Sequence, residues 1–332
     1  GLPGTVTFVP HIAYATFGNN LGDTLHVIDV SDGVECPGGI SIASSVGSPF
    51  AGTGVAATPD GSVAFVVGNY SFTGALEIVD NARGTVTDLP NTVFPSNSLS
   101  FPTGVAYDPA AHTLYIADTE DGIIDTLPNA DTCAAAGTCA PQQPITTGLG
   151  SPMGVAIGGG NYYVADYSTS NLDSASLGSA TLTMLALAAQ GIPDSVAVAS
   201  GEEFVQVVGG GSGFLDVVNG GMVVPCALAN NPTNPIYLGG NGSPKSVAVA
   251  NGTVYVSDSG GVNVFSNLAS GCSSTFVAWP SSGSGSGVVA RSDSSVVYAL
   301  NSVPEIDILA GSTVSSKISL TAAPLFDLVF GP

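Results

Sequence analysis

Cationic side chains are scarce in this chain. Lys and Arg together number 4 among 332 residues, against 25 Asp and Glu, so the formal net charge is −21 at pH 7. Affinity for a nucleic acid backbone depends on Lys and Arg, so a nucleic acid partner is excluded. Charged residues make up 9% of the chain, whereas an ordinary soluble domain has about 25%. Solubility must therefore depend largely on Ser, Thr, Asn and the exposed backbone at Gly.

Several motifs that mark well-known sites are also missing. No uninterrupted apolar stretch approaches the ~18 residues of a transmembrane helix, so we expect no membrane span. No Gly-rich segment precedes a helix with a Lys, as in a phosphate-binding loop, and no Cys-x-x-Cys or GxSxG motif occurs. The three histidines, His11, His26 and His112, are scattered, and we expect structural or surface roles for them. A Ser-His-Asp triad stays open, because triads assemble in space.

What the chain does contain is a repeat of about 40 to 50 residues. Each copy has two apolar runs separated by a turn, as in the segments that begin at Pro102, Pro152 and Pro244. The residues that open the first runs are Gly54, Gly104, Gly154, Ser195, Ser246, Gly287 and Asp327, spaced by 50, 50, 41, 51, 41 and 40 residues. This period is that of a propeller blade with four short strands.

The apolar runs favour strands over helices. They are four to six residues long, rich in Val, Ile, Tyr and Phe, and bounded by Gly, Asn, Asp, Ser and Pro. In one repeat, 104–107 is predicted as the inner strand, 113–117 as the second and 122–127 as the third. Small residues at the start of the inner strands would allow seven sheets to converge on an axis.

The two ends of the chain complement each other. The segments from His11 and Leu25 match second and third strands without a preceding first strand, and the segment from Asp327 supplies one. We therefore predict an all-β, seven-bladed β-propeller of one domain, residues 1–332, with one blade shared between the N- and C-terminal strands. An open solenoid is the alternative.

Composition and cysteine usage predict an exported protein. The chain opens at Gly1, as a processed mature protein would, and has five cysteines. We predict disulfides between Cys133 and Cys139, in a short polar loop, and between Cys226 and Cys272, which leaves Cys36 buried or free for an intermolecular bond. With few ion pairs to lose, the chain would also suit an acidic habitat, although a surface poor in Lys is common in secreted proteins generally.

Carboxylates recur just after the second predicted strand. Asp118, Asp166 and Asp258 occupy this position, with Asn301 in the last repeat. They could form a ring at the channel mouth that holds a cation, or each could cap its own turn by accepting backbone N–H bonds; the second interpretation is favoured.

One acidic segment is the best calcium candidate of the chain. Asp118, Glu120, Asp121 and Asp125 offer several oxygen ligands, although their spacing differs from that of an EF-hand. Apart from calcium, we expect no cofactor.

The repeats starting at Pro102 and Pro152, with GVAYD followed by LYIAD and with NYYVAD, resemble NHL repeats. The whole set is similar to the seven-bladed propellers of the NHL, YVTN-repeat and lactonase-like groups. These groups include binding and surface proteins as well as lyases and lactonases, so the resemblance implies a fold and no single activity. Enzymes among them rely on His, Arg or metal-binding carboxylates at the channel. Here only Arg83, Arg291 and the three scattered histidines could match them.

Two functional hypotheses follow. The first is a secreted, non-catalytic propeller that serves as a cell-surface or extracellular structural or binding subunit, with homotypic contacts that could build filaments, or with another extracellular protein or a glycan as partner. The second is an extracellular lyase or lactonase that acts on a small or carbohydrate substrate. A cluster of ionisable side chains at one channel mouth would favour the second.

Overall fold

Short antiparallel strands make up nearly all regular structure of the computed structural model. It describes residues 12–17, 24–29, 34–35, 40–41, 51–70, 73–80, 85–89, 99–140, 142–145, 148–189, 191–224, 235–238, 245–266, 274–279, 285–290, 296–301, 305–320 and 325–330. These residues form seven separate antiparallel sheets, which we number 1 to 7 along the chain.

The strands of sheets 1 to 4 follow one another in chain order. Sheet 1 begins with β1 (Ile12–Phe17), β2 (Thr24–Asp29), β3 (Val34–Glu35) and β4 (Ile40–Ser41). Sheet 2 contains β5 (Ala51–Ala57), β6 (Val63–Tyr70), β7 (Thr73–Asp80) and β8 (Thr85–Leu89). Sheet 3 contains β9 (Pro102–Asp108), β10 (Thr113–Asp118), β11 (Ile123–Leu127) and β12 (Gln142–Ile145), with helix α1 (Ala130–Ala136) before its last strand. Sheet 4 contains β13 (Pro152–Gly158), β14 (Asn161–Asp166), β15 (Asn171–Ser176) and β16 (Thr183–Ala186).

Sheets 5 to 7 continue the pattern, and the last strand returns to sheet 1. Sheet 5 contains β17 (Ile192–Ala199), β18 (Glu202–Gly209), β19 (Ser212–Asn219), β20 (Met222–Val223) and β21 (Ile236–Leu238). Sheet 6 contains β22 (Ser246–Ala250), β23 (Thr253–Ser257), β24 (Gly261–Ser266) and β25 (Ser274–Ala278). Sheet 7 contains β26 (Gly285–Ala290), β27 (Val296–Asn301), β28 (Glu305–Ala310) and β29 (Thr313–Ser319), and β30 (Leu325–Phe330) completes sheet 1.

The sheets are arranged as a closed ring. The first strand of each of sheets 2 to 7 contacts the first strand of the next, and β30 contacts both β26 and β5. Within sheet 1, β30 pairs antiparallel with β1, with Tyr14 opposite Val329. The predicted propeller with a sheet shared between both chain ends is therefore confirmed, and the open solenoid is wrong.

Small residues allow the inner strands to approach each other closely. A Cβ atom at Gly54 would lie 2.5 Å from the carbonyl oxygen of Thr103 in the next sheet, where real Cβ atoms essentially never come within 3.0 Å. At the same repeat position Ser246 has a Cβ, and its hydroxyl joins sheets 6 and 7. It accepts a hydrogen bond from the Val288 N–H at 3.1 Å and donates to the Val288 carbonyl oxygen at 3.0 Å.

The hydrophobic core lies between neighbouring sheets. Phe65 of sheet 2 packs in one cluster with Leu114 and Ile116 of sheet 3, and Tyr115 on the opposite face stacks on Tyr162 of sheet 4. Both faces of a sheet are thus covered, which explains the nearly continuous apolar runs in the sequence. No helix of the described residues is long and apolar enough to cross a membrane.

Candidate functional site

A polar side chain recurs at one position on the third strand of every sheet. Each lies directly opposite a small or apolar residue of the second strand, for example Asp125 opposite Ile116 and Asp173 opposite Val164. The seven residues are His26, Glu77, Asp125, Asp173, Asp216, Asn263 and Asp307. We call them the inter-sheet polar layer. His26 is 7% exposed, and the other six are at most 2% exposed.

The register explains this burial. Residues directly opposite each other in an antiparallel pair share one face of the sheet. Ile116 packs against the apolar side chains of sheet 2, and Val164 against those of sheet 3. Asp125 and Asp173 therefore lie on the faces that pack against the preceding sheets, away from water.

Most members of the layer have a polar partner. Asp216 accepts a hydrogen bond from the Ala189 N–H at 2.9 Å, and Asn263 donates to Asp258 at 3.0 Å. His26 pairs through Nδ1 with Glu35. Asp125 and Asp173 differ, because neither of their carboxylate oxygens has a hydrogen-bond donor. A buried carboxylate without a donor is costly in its charged form.

The recurring aspartates after the second strands accept backbone N–H groups, as the favoured interpretation predicts, but the shortest bonds of Asp118 and Asp166 come from outside their own turns. Asp118 accepts from the Ser100 N–H at 2.8 Å. Asp166 accepts from the N–H groups of Gly150 at 2.7 Å and Ser151 at 2.9 Å, and Asp258 from those of Gly260 and Gly261. Asp118 and Asp166 thereby hold the connections that lead into the first strands of their own sheets. The side chain of Asn301 lies outside the described residues.

In sheets 3 and 4 the carboxyl group of the inter-sheet polar layer interacts electrostatically with the recurring aspartate after the second strand. Burial raises the pKa of Asp118 to about 8, against the hydrogen bond from Ser100, and the charge of Asp125 adds to the rise. Burial likewise raises the pKa of Asp125 to about 7, helped by the charge of Asp121. Burial, then the proximity of Asp166, raises the pKa of Asp173 to about 7. The neutral forms of Asp118, Asp125 and Asp173 thus persist to much higher pH than those of exposed carboxyl groups.

The calcium candidate is distributed over buried and exposed positions. Asp118 and Asp125 are buried, whereas Asp121 is exposed and the exposed Glu120 bonds the Ser100 hydroxyl at 3.2 Å. Within the described ranges, no group of three or more His, Cys, Asp or Glu side chains could hold a metal ion. The structure therefore does not assemble these four carboxylates into one ligand set.

Of the predicted disulfides, the described residues contain the bond between Cys133 and Cys139. Their sulfur atoms are 2.08 Å apart and their Cα atoms 4.7 Å apart, and the bond joins α1 to the chain that follows it. Cys36, Cys226 and Cys272 lie outside the described residues.

The two described histidines lie in different sheets, and each is paired with a carboxylate. His26 is buried in sheet 1 against Glu35. His112 lies in the turn between β9 and β10 of sheet 3, at φ 52°, with Nδ1 2.6 Å from Asp131 of α1 and 3.2 Å from the Tyr107 hydroxyl. This pair of the exposed His112 and the half-buried Asp131 connects the turn with the helix. His11 and both arginines lie outside the described residues.

Large apolar side chains are exposed on the outermost strands of three consecutive sheets. Met184 on β16 is 62% exposed, Met222 on β20 is 69%, Tyr237 on β21 is 57% and Phe276 on β25 is 46%. We call these four residues the apolar rim. The strands that bear them contain no Asp, Glu, Lys or Arg. An uncharged edge strand with apolar side chains is a favourable surface for strand pairing or docking.

Comparison with known proteins supports the fold alone. No protein-family model matches the chain, and no curated protein sequence matches it significantly. Among solved structures, it is similar to the periplasmic gluconolactonase PpgL of Pseudomonas aeruginosa, with 13% identity, a TM-score of 0.66, and coverage of 96% of this chain and 98% of the other. The WD40 repeats of RRP9 match with 12% identity, a TM-score of 0.66 and coverage of 88% and 84%. A chain of a nidogen/laminin complex matches with 14% identity, a TM-score of 0.57 and coverage of 97% and 98%.

These similarities and the ring of sheets define the class of the protein, which is a β-propeller. The matched structures include one named as an enzyme and one named as part of a protein complex. At such low identity a shared fold does not transfer an activity.

Proposed function

We propose that this chain is an extracellular, non-catalytic propeller that serves as a structural or binding subunit, and that copies of it associate through the apolar rim. The observation behind the proposal is the set of exposed apolar side chains on four uncharged outer strands of three consecutive sheets. Soluble proteins usually protect such edges with charged residues, Pro or bulges. The rim instead combines exposed apolar side chains with strands that contain no charged residue.

A second copy is the occupant that fits this surface best. Edge strands pair with other edge strands through backbone hydrogen bonds, so a rim can pair with a rim without any further recognition element. The net charge of −21 opposes contact between copies at neutral pH. Protonation of the carboxylates removes that repulsion, so association should strengthen in acid. A two-fold contact would give a dimer, and contacts between unlike surfaces would give a filament.

The location of the histidines also favours a non-catalytic role. The two described histidines lie in different sheets, one buried and one in an exposed turn, each beside its own carboxylate. A general base needs to lie beside a substrate-sized site together with other catalytic groups. The two described histidines do not share one site.

Size-exclusion chromatography with light scattering, followed by electron microscopy, tests the proposal. The purified chain is compared from acid to neutral pH with a variant in which Met184, Met222, Tyr237 and Phe276 are all replaced by Ser. We expect concentration-dependent association of the native chain, strongest in acid, and loss of it in the variant. Tyr167→Ser removes an exposed aromatic side chain away from the outer strands and is the matched control. A native chain that is monomeric at every pH and concentration would contradict the proposal.

An extracellular lactonase or lyase is the second candidate. The observation that favours it is the position of Asp194 and Lys245, which directly precede the small residues Ser195 and Ser246 of two inner strands that contact each other. Burial raises the pKa of Asp194, and the charge of Lys245 opposes the rise. A carboxyl group tuned in this way beside a cation could act on a small or carbohydrate substrate. Hydrolysis of a sugar lactone that is abolished by Asp194→Asn, in a folded variant, would establish this candidate in place of the first.

A further inference from the structure

In both sheet 4 and sheet 6, a polar residue of the third strand lies beside the aspartate that follows the second strand, but the third-strand residues differ. In sheet 6 the third-strand residue is Asn263, and its amide donates a hydrogen bond to Asp258 at 3.0 Å. In sheet 4 the third-strand residue is Asp173 and its neighbour is Asp166. In each sheet the aspartate, Asp258 or Asp166, lies two residues after the second-strand residue that pairs with the third-strand residue. The two pairs are therefore structurally equivalent.

The equivalence shows what sheet 4 lacks. Asp166 is fully buried and accepts three N–H groups, from Gly150 at 2.7 Å, Ser151 at 2.9 Å and Ser168 at 3.2 Å. Both of its carboxylate oxygens therefore act as acceptors. Asp173 is also fully buried, and neither of its oxygens has a donor. Two carboxylates cannot hydrogen-bond to each other, whereas a carboxylic acid can donate to a carboxylate, as the Asn263 amide does in sheet 6.

We propose that Asp173 is held in its protonated form and donates its carboxyl proton to Asp166, so that the junction between sheets 3 and 4 is closed in acid and weakened when this proton leaves. Asp166 accepts a hydrogen bond from the N–H of Ser151, the residue directly before β13. A second negative charge beside Asp166 would therefore weaken the connection between the two sheets.

The groups around Asp173 leave its negative charge uncompensated. On its own sheet the titratable groups beside it are Asp166 and Tyr162. The packed face of sheet 3 presents Tyr115 with the apolar Ala117 and Ile124. The Tyr115 hydroxyl accepts from the Gly178 N–H at 3.1 Å, and the Tyr162 hydroxyl donates to the Ser179 carbonyl oxygen at 3.0 Å. Both hydroxyls thus have partners of their own.

The direction of the pH effect follows from proton binding. Burial and the proximity of Asp166 raise the pKa of Asp173 to about 7, well above the usual value of a carboxyl group. Between the two values the folded chain binds a proton that the unfolded chain has released, so stability falls as pH rises through this interval. Stability from this site is complete in acid below about pH 4 and is lost as the pH reaches about 7.

The experiment measures the unfolding equilibrium against pH for the native chain and for Asp173→Asn, which replaces the carboxyl proton by an amide donor. We expect the ratio of the two unfolding constants to change at least tenfold, and up to about a thousandfold, between pH 4 and pH 8 in favour of the variant. Asn263→Asp is the reciprocal change, and it should introduce the same pH dependence into sheet 6. Asp60→Asn is the control, because hydrogen bonds from Thr58 and Ser62 lower the pKa of Asp60 and its contribution has the opposite sign.

A direct measurement keeps the test independent of variant folding. Carbon NMR of labelled aspartate in the native chain should show a carboxyl resonance that titrates near neutral pH and is absent in Asp173→Asn. An ordinary acidic midpoint for Asp173 would overturn the proposal, as would parallel pH profiles of the native chain and both variants. If Asp173→Asn does not fold, titration of the native chain and the profile of Asn263→Asp decide the matter.

Discussion

Replacing Gly54 by Ala should open the ring of inner strands and destabilise the protein. The new methyl group would lie 2.5 Å from the Thr103 carbonyl oxygen, so β5 and β9 must separate by about 0.5 Å to reach the 3.0 Å limit of real contacts. Side-chain atoms of Val67 and Val105 lie 3.2 and 3.3 Å from the same methyl position, so the methyl group cannot move toward them to avoid the clash. Such overpacking costs about 1–3 kcal/mol, and the reduced freedom of the unfolded chain returns about 0.5–1 kcal/mol. The expected net loss is about 1 kcal/mol, in a range of about 0–2.5 kcal/mol.

Urea unfolding followed by the fluorescence of Trp279, the single and largely buried tryptophan, measures this loss. Gly104→Ala should cost more than Gly54→Ala, because its methyl group would lie even closer to the Met153 carbonyl oxygen. Ser195→Ala is the matched control at the same repeat position, where a Cβ is already present. It removes one long hydrogen bond from the Val247 N–H and should change stability by less than about 0.5 kcal/mol. A free energy of unfolding unchanged in both glycine variants would refute the close approach of the inner strands.

Three further predictions concern local features. Replacing Cys133 and Cys139 by Ser removes a bond that closes a six-residue separation and should cost about 2 kcal/mol; peptide mapping without reductant, in which both thiols were free, would contradict the bond. Deleting residues 325–332 removes β30 and leaves one edge of β1 unpaired, so the melting temperature should fall, and an unchanged value would disprove the closure. Gly252→Ala places a side chain at φ 72° in the turn between β22 and β23 and should lower the free energy of unfolding by about 1–2 kcal/mol. Thermal unfolding of this variant and of Asn251→Gly, compared with the native chain, measures the loss.

The repeat allowed the fold to be predicted because its signal lies in residues with a steric role. Gly54, Gly104 and Gly154 recur where neighbouring strands approach too closely for a side chain, so the sequence itself marks the inner ring. Asp327 is not a small residue, and it reveals the closing strand only by its spacing in the repeat. The strand bounds differ by a few residues, as in β9, which begins at Pro102 where Gly104 was expected.

The inter-sheet polar layer was missed, although its signal is present. Glu77, Asp125, Asp173, Asp216 and Asp307 each follow an apolar residue in a third strand, and aligning these strands brings them into one column. A polar residue within an apolar strand normally indicates a solvent-facing position. That rule fails here because both faces of each sheet are covered by neighbours. The apolar rim could not be predicted either, since exposure of an outer strand depends on what the next sheet leaves uncovered.

Acid should act on this protein at two separable levels. Protonation of surface carboxylates reduces the repulsion between copies, whereas protonation of Asp173 affects the junction between sheets 3 and 4. The two levels meet in sheet 4, because Met184 of the apolar rim lies directly opposite Asp173 on the outer strand. Asp173→Asn should therefore remove most of the pH dependence of stability at this junction and leave association dependent on pH. The Ser variant of the rim should lose association and keep the pH dependence of stability. If association followed stability in both variants, the rim would be acting through folding of sheet 4 rather than as a contact surface.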